Sequence, residues 1–246
     1  MFIGMKKSVV FNIPENILLS SEQRDPEMRQ SLMSQTVPIV FVVDDDVSVR
    51  ESLESLLRCE GWQPETYASA TEFLTRPRTQ IPSCLILDVS LPGLNGLDLQ
   101  KQMAAERTEM PIIFITGHGD VPMTVRAMKA GAQEFLTKPF SDEVLLAAIR
   151  RAIERSRIAL GREMEMQGLK GRYASLTGRE RQVMALVASG RPNKQVGSEL
   201  GISEITVKAH RGKVMEKMKA DSIADLVKMA AKLRLTRASA VVAPMA

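Results

Sequence analysis

The chain has 246 residues, of which 44% are hydrophobic and 25% are charged. These values are typical of a soluble globular protein with one large domain or two small ones. No apolar run approaches the ~20 residues that a transmembrane helix requires, so we expect no membrane association. Two cysteines, Cys59 and Cys84, show no CxxC or metal-binding spacing. We expect both in the core of a cytoplasmic protein with reduced thiols.

The formal net charge of +4 hides an asymmetry along the chain. Residues 37–140 contain 9 Lys/Arg and 14 Asp/Glu, a net charge of −5. Residues 170–240 contain 15 Lys/Arg and 6 Asp/Glu, a net charge of +9. An acidic part followed by a basic part predicts two domains with different partners. The basic part is a candidate for nucleic-acid binding.

The first 36 residues are predicted to form a polar, poorly ordered extension. Lys6 and Lys7 precede an apolar stretch, as in a signal peptide, but Asn12 and Pro14 interrupt it and no small-residue cleavage site follows. Met33 lies just before the first predicted strand and is an alternative translation start.

Strand and helix patterns alternate from residue 38 to about residue 160. The predicted helices carry apolar residues at helical spacing, as Val49, Leu53 and Leu56 do in "SVRESLESLLRCEG". This alternation predicts a doubly wound parallel sheet, whose functional site lies outside the carboxyl ends of the strands. The predicted strands are Ile39–Val43, Gln63–Tyr67, Cys84–Leu87, Ile112–Thr116 and Glu134–Leu136, and the first, third and fourth are apolar enough to be buried on both faces.

A long helix is predicted from Ser141, a favourable N-cap, over "SDEVLLAAIRRAIERSRIAL". Its apolar face thins out past Arg155. Residues 156–173 are therefore predicted to be a charged, glycine-punctuated linker, either helical or flexible. After Tyr173 the pattern is purely helical.

Chemically distinctive side chains follow four of the predicted strands. Asp44 and Asp45 follow the first strand, Asp88 ends the third, Thr116 ends the fourth and Lys138 follows the fifth. Carboxylate oxygens suit Mg²⁺, which takes one or two protein carboxylates and keeps several waters. A carboxylate beside this metal can attack a phosphoryl group, while the metal, an ammonium and a hydroxyl hold the transferred oxygens. The strand ends therefore predict a phosphoryl-transfer site.

The third aspartate of "VVDDD", Asp46, is predicted to sit at the start of a helix, where the helix dipole favours a carboxylate. An alternative enzyme class starts from the same residues. Asp44-x-Asp46-x-Ser48 resembles the nucleophile motif of haloacid-dehalogenase-like phosphatases, in which Asp44 would be phosphorylated. That interpretation leaves Asp88 and the basic part without a role, and no acidic pair follows Lys138 to hold the metal.

Three motifs, "VVDDD", "LILDVSLPGLNG" and "FITGHGDVPMTVRAMKAGAQEFLTKPF", resemble in order and spacing those of a bacterial response-regulator receiver domain of the FixJ-like branch. We assign residues 37–155 to this domain. The resemblance implies a flavodoxin-like fold with five parallel strands, Mg²⁺ as cofactor and a commonly cis Lys138–Pro139 bond. The implied roles are phosphoacceptor for Asp88, Mg²⁺ ligands for Asp44, Asp45, Asp88 and the backbone carbonyl of Ser90, phosphoryl contacts for Thr116 and Lys138, and an aromatic switch for Phe135.

The basic part has four predicted helices between residues 176 and 235. Thr177 and Glu180 have the spacing of a capping box. The second and third helices are joined by the short "GIS" turn, which is a helix-turn-helix pattern. In the third helix, capped by Ser203, we expect Ile205 to be buried along with Val207, Val214 and Met218.

The motifs "LTGRE", "NKQV", "LGIS" and "TVKAHR" resemble the LuxR-type helix-turn-helix domain that ends NarL/FixJ response regulators. We assign residues 174–240 to it. In this architecture the third helix enters the major groove, where Lys208 and Arg211 are candidates to contact base edges. Gly197 replaces the usual alanine and is expected to weaken its helix by up to ~1 kcal/mol. Candidates for phosphate contacts are Thr206, His210, Lys213 and Lys194.

The two resemblances together imply a DNA-binding transcriptional response regulator of a two-component system. A cognate histidine kinase would phosphorylate Asp88, and the phosphoryl group would remodel the face made by the fourth helix, fifth strand and fifth helix. Homodimers formed through that face would bind double-stranded promoter DNA. Apart from its own phosphoryl transfer and slow autodephosphorylation, the chain is expected not to be an enzyme. Activation of transcription through RNA polymerase is favoured over repression.

Overall fold

The computed structural model describes residues 36–105, 110–117 and 119–235. All but the last residue of the predicted N-terminal extension, Met33 included, lies outside the described residues. So do residues 236–240 of the predicted C-terminal domain. None of the helices in the described ranges is long and apolar enough to cross a membrane.

A parallel sheet with the strand order β2-β1-β3-β4-β5 forms the centre of the first half of the chain. All five predicted strands are confirmed, with β3 longer by one residue at each end and β5 longer by one. The central strands β1, β3 and β4 are buried at every residue, as their continuous apolar runs predict. The strands are β1 (Ile39–Val43), β2 (Gln63–Tyr67), β3 (Ser83–Asp88), β4 (Ile112–Thr116) and β5 (Glu134–Thr137).

Helices cover both faces of the sheet. One face packs against α2, α3 and α4 around Phe41 and Phe114, and the other packs against α1 and α5 around Ile86 and Ile113. Cys84 lies in the second core as expected, whereas Cys59, expected to be buried, is exposed at the end of α1. The helices are α1 (Val47–Cys59), α2 (Ala70–Leu74), α3 (Gly96–Ala105), α4 (Val121–Lys129) and α5 (Asp142–Ala174).

The last of these helices, α5, is continuous through the segment 156–173. Its N-cap is Ser141, as predicted, and Gly161 and Gly171 lie inside the helix rather than interrupting it. The first half of α5 packs into the core beside the sheet through residues such as Ile149, whereas Leu169 packs into the helical core of the second half of the chain. One helix therefore contributes to both hydrophobic cores.

The second half of the chain is helical, as predicted, and its core includes Val183, Val196, Val207 and Leu226. Thr177 and Glu180 form the predicted capping box. The turn between the second and third of its helices passes through Gly201, whose φ of +64° is a backbone conformation that favours glycine. The helices are α6 (Gly178–Ala188), α7 (Asn193–Leu200), α8 (Glu204–Met218) and α9 (Ile223–Lys232).

Two expectations for this helical unit are wrong. Ile205 is exposed because Val207, Val214 and Met218 form the buried stripe of α8, and a residue two positions before Val207 lies about 200° around the helix from it. At Gly197, an added Cβ would lie 2.7 Å from the backbone oxygen of Ile202. The effect of replacing Gly197 by alanine therefore depends on close packing against the turn rather than on helix propensity.

Candidate acidic site and nucleic-acid interface

The predicted acidic site forms at one edge of the sheet. The strand order brings the carboxyl ends of β1, β3, β4 and β5 side by side, with Asp88 beside Ile115 in the register of β3 and β4. Asp44, Asp88 and Thr116 are buried, whereas Asp45 is exposed. Residues far apart in sequence thus meet where the sequence analysis predicted.

Lys138 links the two buried carboxylates. Its Nζ donates to Asp44 Oδ2 at 2.8 Å and to Asp88 Oδ2 at 2.9 Å. Burial raises the pKa of the Asp44 carboxyl, and the hydrogen bond from Lys138 opposes this effect. Burial lowers the pKa of Lys138, but its hydrogen bonds to both carboxylates outweigh burial, so that its pKa is raised. The ammonium therefore stays charged at neutral pH.

Backbone amides hold the remaining oxygens of these carboxylates. Asp46 N donates to Asp44 Oδ1 at 2.9 Å, and Ser90 N donates to Asp88 Oδ1 at 2.9 Å. Asp46 itself caps α1 by accepting from Ser48 N at 2.8 Å, which confirms the predicted helix-start role. Asp44 is completely buried with both oxygens engaged, and this is unfavourable for the nucleophile of the dehalogenase-like alternative.

A divalent cation fits the donor set at this edge. Carboxylate oxygens of Asp44, Asp45 and Asp88 lie within 4.8 Å of one another. Hard oxygen donors of this kind suit Mg²⁺. The Asp45 carboxylate has no protein hydrogen-bond partner in the described part of the chain, so it is available as a ligand.

Arg50 is a contributor that the sequence analysis missed. Its Nη1 donates to the backbone oxygen of Asp44 at 2.7 Å and to that of Asp45 at 3.0 Å. These bonds fix the loop that carries the acidic pair and add positive charge beside it. An arginine in the first two turns of α1 is common on any amphipathic helix, so the pattern alone did not single it out.

Two glycines lie so close to the site that a side chain at either position would push the neighbouring site residues out of place. A Cβ at Gly96 would lie 2.5 Å from the backbone oxygen of Asp88. A Cβ at Gly119 would lie 3.1 Å from the Phe135 ring and 3.2 Å from the methyl of Thr116. The "LNG" and "GHGD" segments therefore need glycine at these positions to pack against the site.

Phe135 lies on β5, partly buried against the core. Its ring centroid is 6.0 Å from that of Phe114, with the planes tilted by 39°. Thr116 lies on the neighbouring strand, and Phe135 is paired with Phe114 in the register. The residue predicted to be the switch thus packs against the core, and its ring lies close to Gly119. The Lys138–Pro139 bond is cis, as the resemblance implies.

The candidate nucleic-acid interface is the outer surface of α8. Lys208 and Lys213 are exposed on it, and Lys208 forms an ion pair with Glu204 at 3.5 Å. Thr206 is exposed, and its hydroxyl hydrogen-bonds that of Ser203 at 2.8 Å. Lys194 is exposed on α7. These four predicted residues are accessible to a ligand.

Arg211 and His210 are less accessible than the sequence suggested. Arg211 is half-buried, and its Nη1 donates to Asn193 Oδ1 at 3.1 Å at the start of α7. His210 is also half-buried, and its Nδ1 has no hydrogen-bond partner in the described ranges. Asn193, to which the sequence analysis gave no role in the site, thus fixes a side chain predicted to contact DNA.

An ion pair between the buried Glu180 and the partly exposed Lys217 holds α8 against α6. Lys217 Nζ donates to Glu180 Oε2 at 2.7 Å, and the same oxygen accepts from Thr177 N at 2.8 Å. The Lys217 bond and the backbone bond from Thr177 lower the pKa of Glu180 to about 2. Lys217 is therefore a structural residue, although it lies on the same basic helix as Lys208 and Lys213.

Comparisons with known proteins agree with both halves of this description. The family "Response regulator receiver domain" matches residues 40–150, and "Bacterial regulatory proteins, luxR family" matches residues 174–230. The chain belongs to the NarL/FixJ family of response regulators. As a member of that family, it is a transcriptional response regulator with a receiver domain and a LuxR-type DNA-binding domain, and its partners include a histidine kinase and DNA.

Similar proteins cover most of this response regulator. Nodulation protein W of Bradyrhizobium diazoefficiens is 51% identical over 201 residues, covering 82% of this chain and 88% of that protein. The response regulator protein TodT of Pseudomonas putida is 46% identical over 202 residues, covering 82% and 89%. The solved structure of the response regulator StyR is 49% identical, with a TM-score of 0.72, covering 80% of this chain and all of that one.

Proposed function

We propose that Asp88 is the phosphoacceptor of this response regulator and that phosphorylation controls DNA binding by the C-terminal domain. The observation that carries the proposal is the Lys138 ammonium, which bridges Asp88 and Asp44 at a strand end. A lysine in this position can bind an oxygen of the incoming phosphoryl group while Asp88 attacks the phosphorus. The phosphorus–oxygen bond to Asp88 forms as the bond to the donor breaks.

The other site residues have complementary roles in this proposal. Asp44, Asp45, Asp88 and the backbone carbonyl of Ser90 would hold Mg²⁺. The metal, when bound, supplies positive charge that offsets the negative charge of the transferred group. The Thr116 hydroxyl would hold a phosphoryl oxygen. Slow hydrolysis of the acyl phosphate at the same site would return the protein to its resting state.

Transmission from the site is proposed to run through Phe135 to a dimer surface. Thr116 would move toward the phosphoryl group. Phe135 would then turn inward into the space that Thr116 vacates. The surface around α4, β5 and α5 supports homodimerisation, because several large apolar side chains are exposed there. They are Val121, Val125 and Met128 of α4 and Val144 of α5.

The DNA-binding part of the proposal assigns base contacts and phosphate contacts separately. Lys208 is the stronger base-edge candidate, because Arg211 would have to leave Asn193 before it reached a base. Lys194, Lys213, Thr206 and His210 would contact phosphates. We place the domain boundaries at residues 37–155 and 174–240, with the α5 segment 156–173 between them.

Activation of transcription through RNA polymerase, in the cytoplasm, completes the proposal. These three elements are supported by the family resemblance. A regulator that places a dimer on a promoter can present a surface to the polymerase, and phosphorylation would then set how often the promoter is occupied.

Intact-mass measurement after treatment with acetyl phosphate and Mg²⁺ tests the phosphoacceptor. Wild type should gain the mass of one phosphoryl group, and Asp88→Asn should gain none. Asp98→Asn is the matched control, because Asp98 lies on the neighbouring α3 but is bonded to Lys101 and Asn95 outside the site. Phosphorylation of Asp88→Asn, or its absence in wild type, would refute the proposal.

A further inference from the structure

Ile205 is the most exposed large hydrophobic side chain within the described ranges, at 79%. It lies in the first turn of α8, two residues after the Ser203 cap. Ser203 Oγ accepts from Thr206 N at 3.1 Å, and this cap fixes the start of the helix with Ile205 pointing outward. Burying an isoleucine is favourable, so contact of this side chain with an apolar group of a ligand would contribute to binding.

The side chains that follow Ile205 along the outward face of α8 are small. Ala209 and Gly212 follow it along the outward face of α8 at helical spacing, and both are exposed. Because neither has a long side chain, the helix backbone can approach another surface closely. Lys208 and Lys213 flank this strip on opposite sides. Basic flanks and the net positive charge of residues 170–240 favour a polyanion over an apolar protein partner.

In a helix-turn-helix domain, the first turns of the second helix of the motif meet the base edges in the major groove. An isoleucine has no hydrogen-bonding group and cannot distinguish donors from acceptors on those edges. The C5-methyl group of thymine is the apolar feature that the major groove offers. Residues three apart on a helix are neighbours, so Ile205 and Lys208 would contact adjacent bases.

We propose that Ile205 is a specificity-determining residue that recognises the C5-methyl of a thymine, next to a base contacted by Lys208. The proposal rests on the proposed docking of α8 in the major groove. Ile205 would shield the methyl from water, whereas Ala209 and Gly212 would let the helix come close enough for contact. Each half-site should then contain a thymine at one fixed position.

The contact is tested directly by combining substitutions of Ile205 with removal of the thymine methyl from the DNA. The phosphorylated full-length protein is first used to select its preferred duplex from random sequences. Each thymine of the selected half-site is then replaced by deoxyuridine, which pairs identically but lacks the methyl. Dissociation constants are measured by fluorescence anisotropy for wild type, Ile205→Ala and Ile205→Val. Val37→Ala, which truncates an exposed apolar residue at the amino end of β1, away from the acidic site and the proposed dimer surface, is the control.

At one thymine, deoxyuridine should weaken wild-type binding about 4-fold, as expected for losing one buried methyl contact. Ile205→Ala should bind the two duplexes equally, with Ile205→Val intermediate and Val37→Ala like wild type. Alanine favours helix at least as well as isoleucine, so the loss is not one of helix stability. An unchanged deoxyuridine effect in Ile205→Ala, or no effect at any thymine, would overturn the inference. Failure of wild type to select any sequence would instead refute the proposed function.

Discussion

The acidic site and the α8 surface are both clusters of charge, but they are assembled in opposite ways. At the acidic site, Lys138 pairs with carboxylates 94 and 50 residues away in the sequence, and those carboxylates are buried. On α8, Lys208 pairs with Glu204 one turn away, and both are exposed. A site assembled by the whole sheet should fail as a unit, whereas a helix surface should respond in graded, nearly additive steps.

The largest effect is expected from Lys138→Met, which should slow phosphoryl transfer to Asp88. Removing the ammonium leaves two buried carboxylates unpaired and takes away a positive charge that the transition state needs. We expect the rate of phosphoryl incorporation from acetyl phosphate to fall by roughly 10²- to 10³-fold. Lys101→Met is the control, because Lys101 pairs with Asp98 on the surface of α3. A Lys138→Met rate close to that of wild type would show that the bridging lysine has no catalytic part.

The next largest effect concerns packing beneath the acidic site. Gly96→Ala would place a Cβ against the backbone oxygen of Asp88, and overpacking of this kind costs about 1–3 kcal/mol. Urea denaturation should show this loss, together with slower phosphorylation. Gly161→Ala is the control, since a Cβ there meets nothing within 4 Å and removing a helical glycine stabilises. Equal stability changes in the two variants would contradict the close packing at Gly96.

The ion pair behind α8 should give the C-terminal domain a pH-dependent stability. Glu180→Gln loses a charged hydrogen bond to Lys217, at a cost of about 1–3 kcal/mol at neutral pH. Because the pKa of Glu180 is lowered from 4.5 to about 2, its contribution is complete above pH 4.5. It disappears as the pH falls through about 2. Thermal melts of the two proteins should therefore differ at pH 7 and converge near pH 2, and parallel melts across this range would argue against the pair.

The smallest expected effects are those of substitutions at Asp45 and Asp46 of "VVDDD", and they should differ in their dependence on Mg²⁺. Asp46→Ala should cost about 1 kcal/mol through loss of the α1 cap, yet keep the stabilisation that added Mg²⁺ provides. Asp45→Asn should show the reverse pattern, with little change in metal-free stability and weaker Mg²⁺ binding. Thermal unfolding across a Mg²⁺ titration distinguishes them. Identical Mg²⁺ responses in the two variants would contradict the assignment of Asp45 as a ligand.

The fold and the acidic site were predictable from the sequence because their determinants are strong local patterns. Buried strands give continuous apolar runs, and polar residues at their ends converge through the parallel topology alone. Asp88 and Lys138 could therefore be brought together without knowing any angle of the sheet. The Asp46 cap was predictable for the same reason, because capping depends on a few neighbouring residues.

Other features depend on packing that a sequence pattern does not encode. The exposure of Ile205 follows from which stripe of α8 faces the core, and an isoleucine beside Val207 suits either assignment. The contacts of Arg50 and Asn193 depend on long side chains reaching across loops. The cost of a Cβ at Gly197 depends on the distance to a backbone oxygen in the next turn. The continuity of α5 past Arg155 arises because its far end packs into the second core through Leu169.

The most direct test of the central claim is the affinity of the full-length protein for its selected duplex, measured by fluorescence anisotropy with and without acetyl phosphate and Mg²⁺. Wild type should bind more tightly when phosphorylated, and Asp88→Asn should bind with the same affinity in both conditions. Tighter binding of Asp88→Asn on adding acetyl phosphate, or an unchanged affinity of phosphorylated wild type, would contradict control of DNA binding by Asp88.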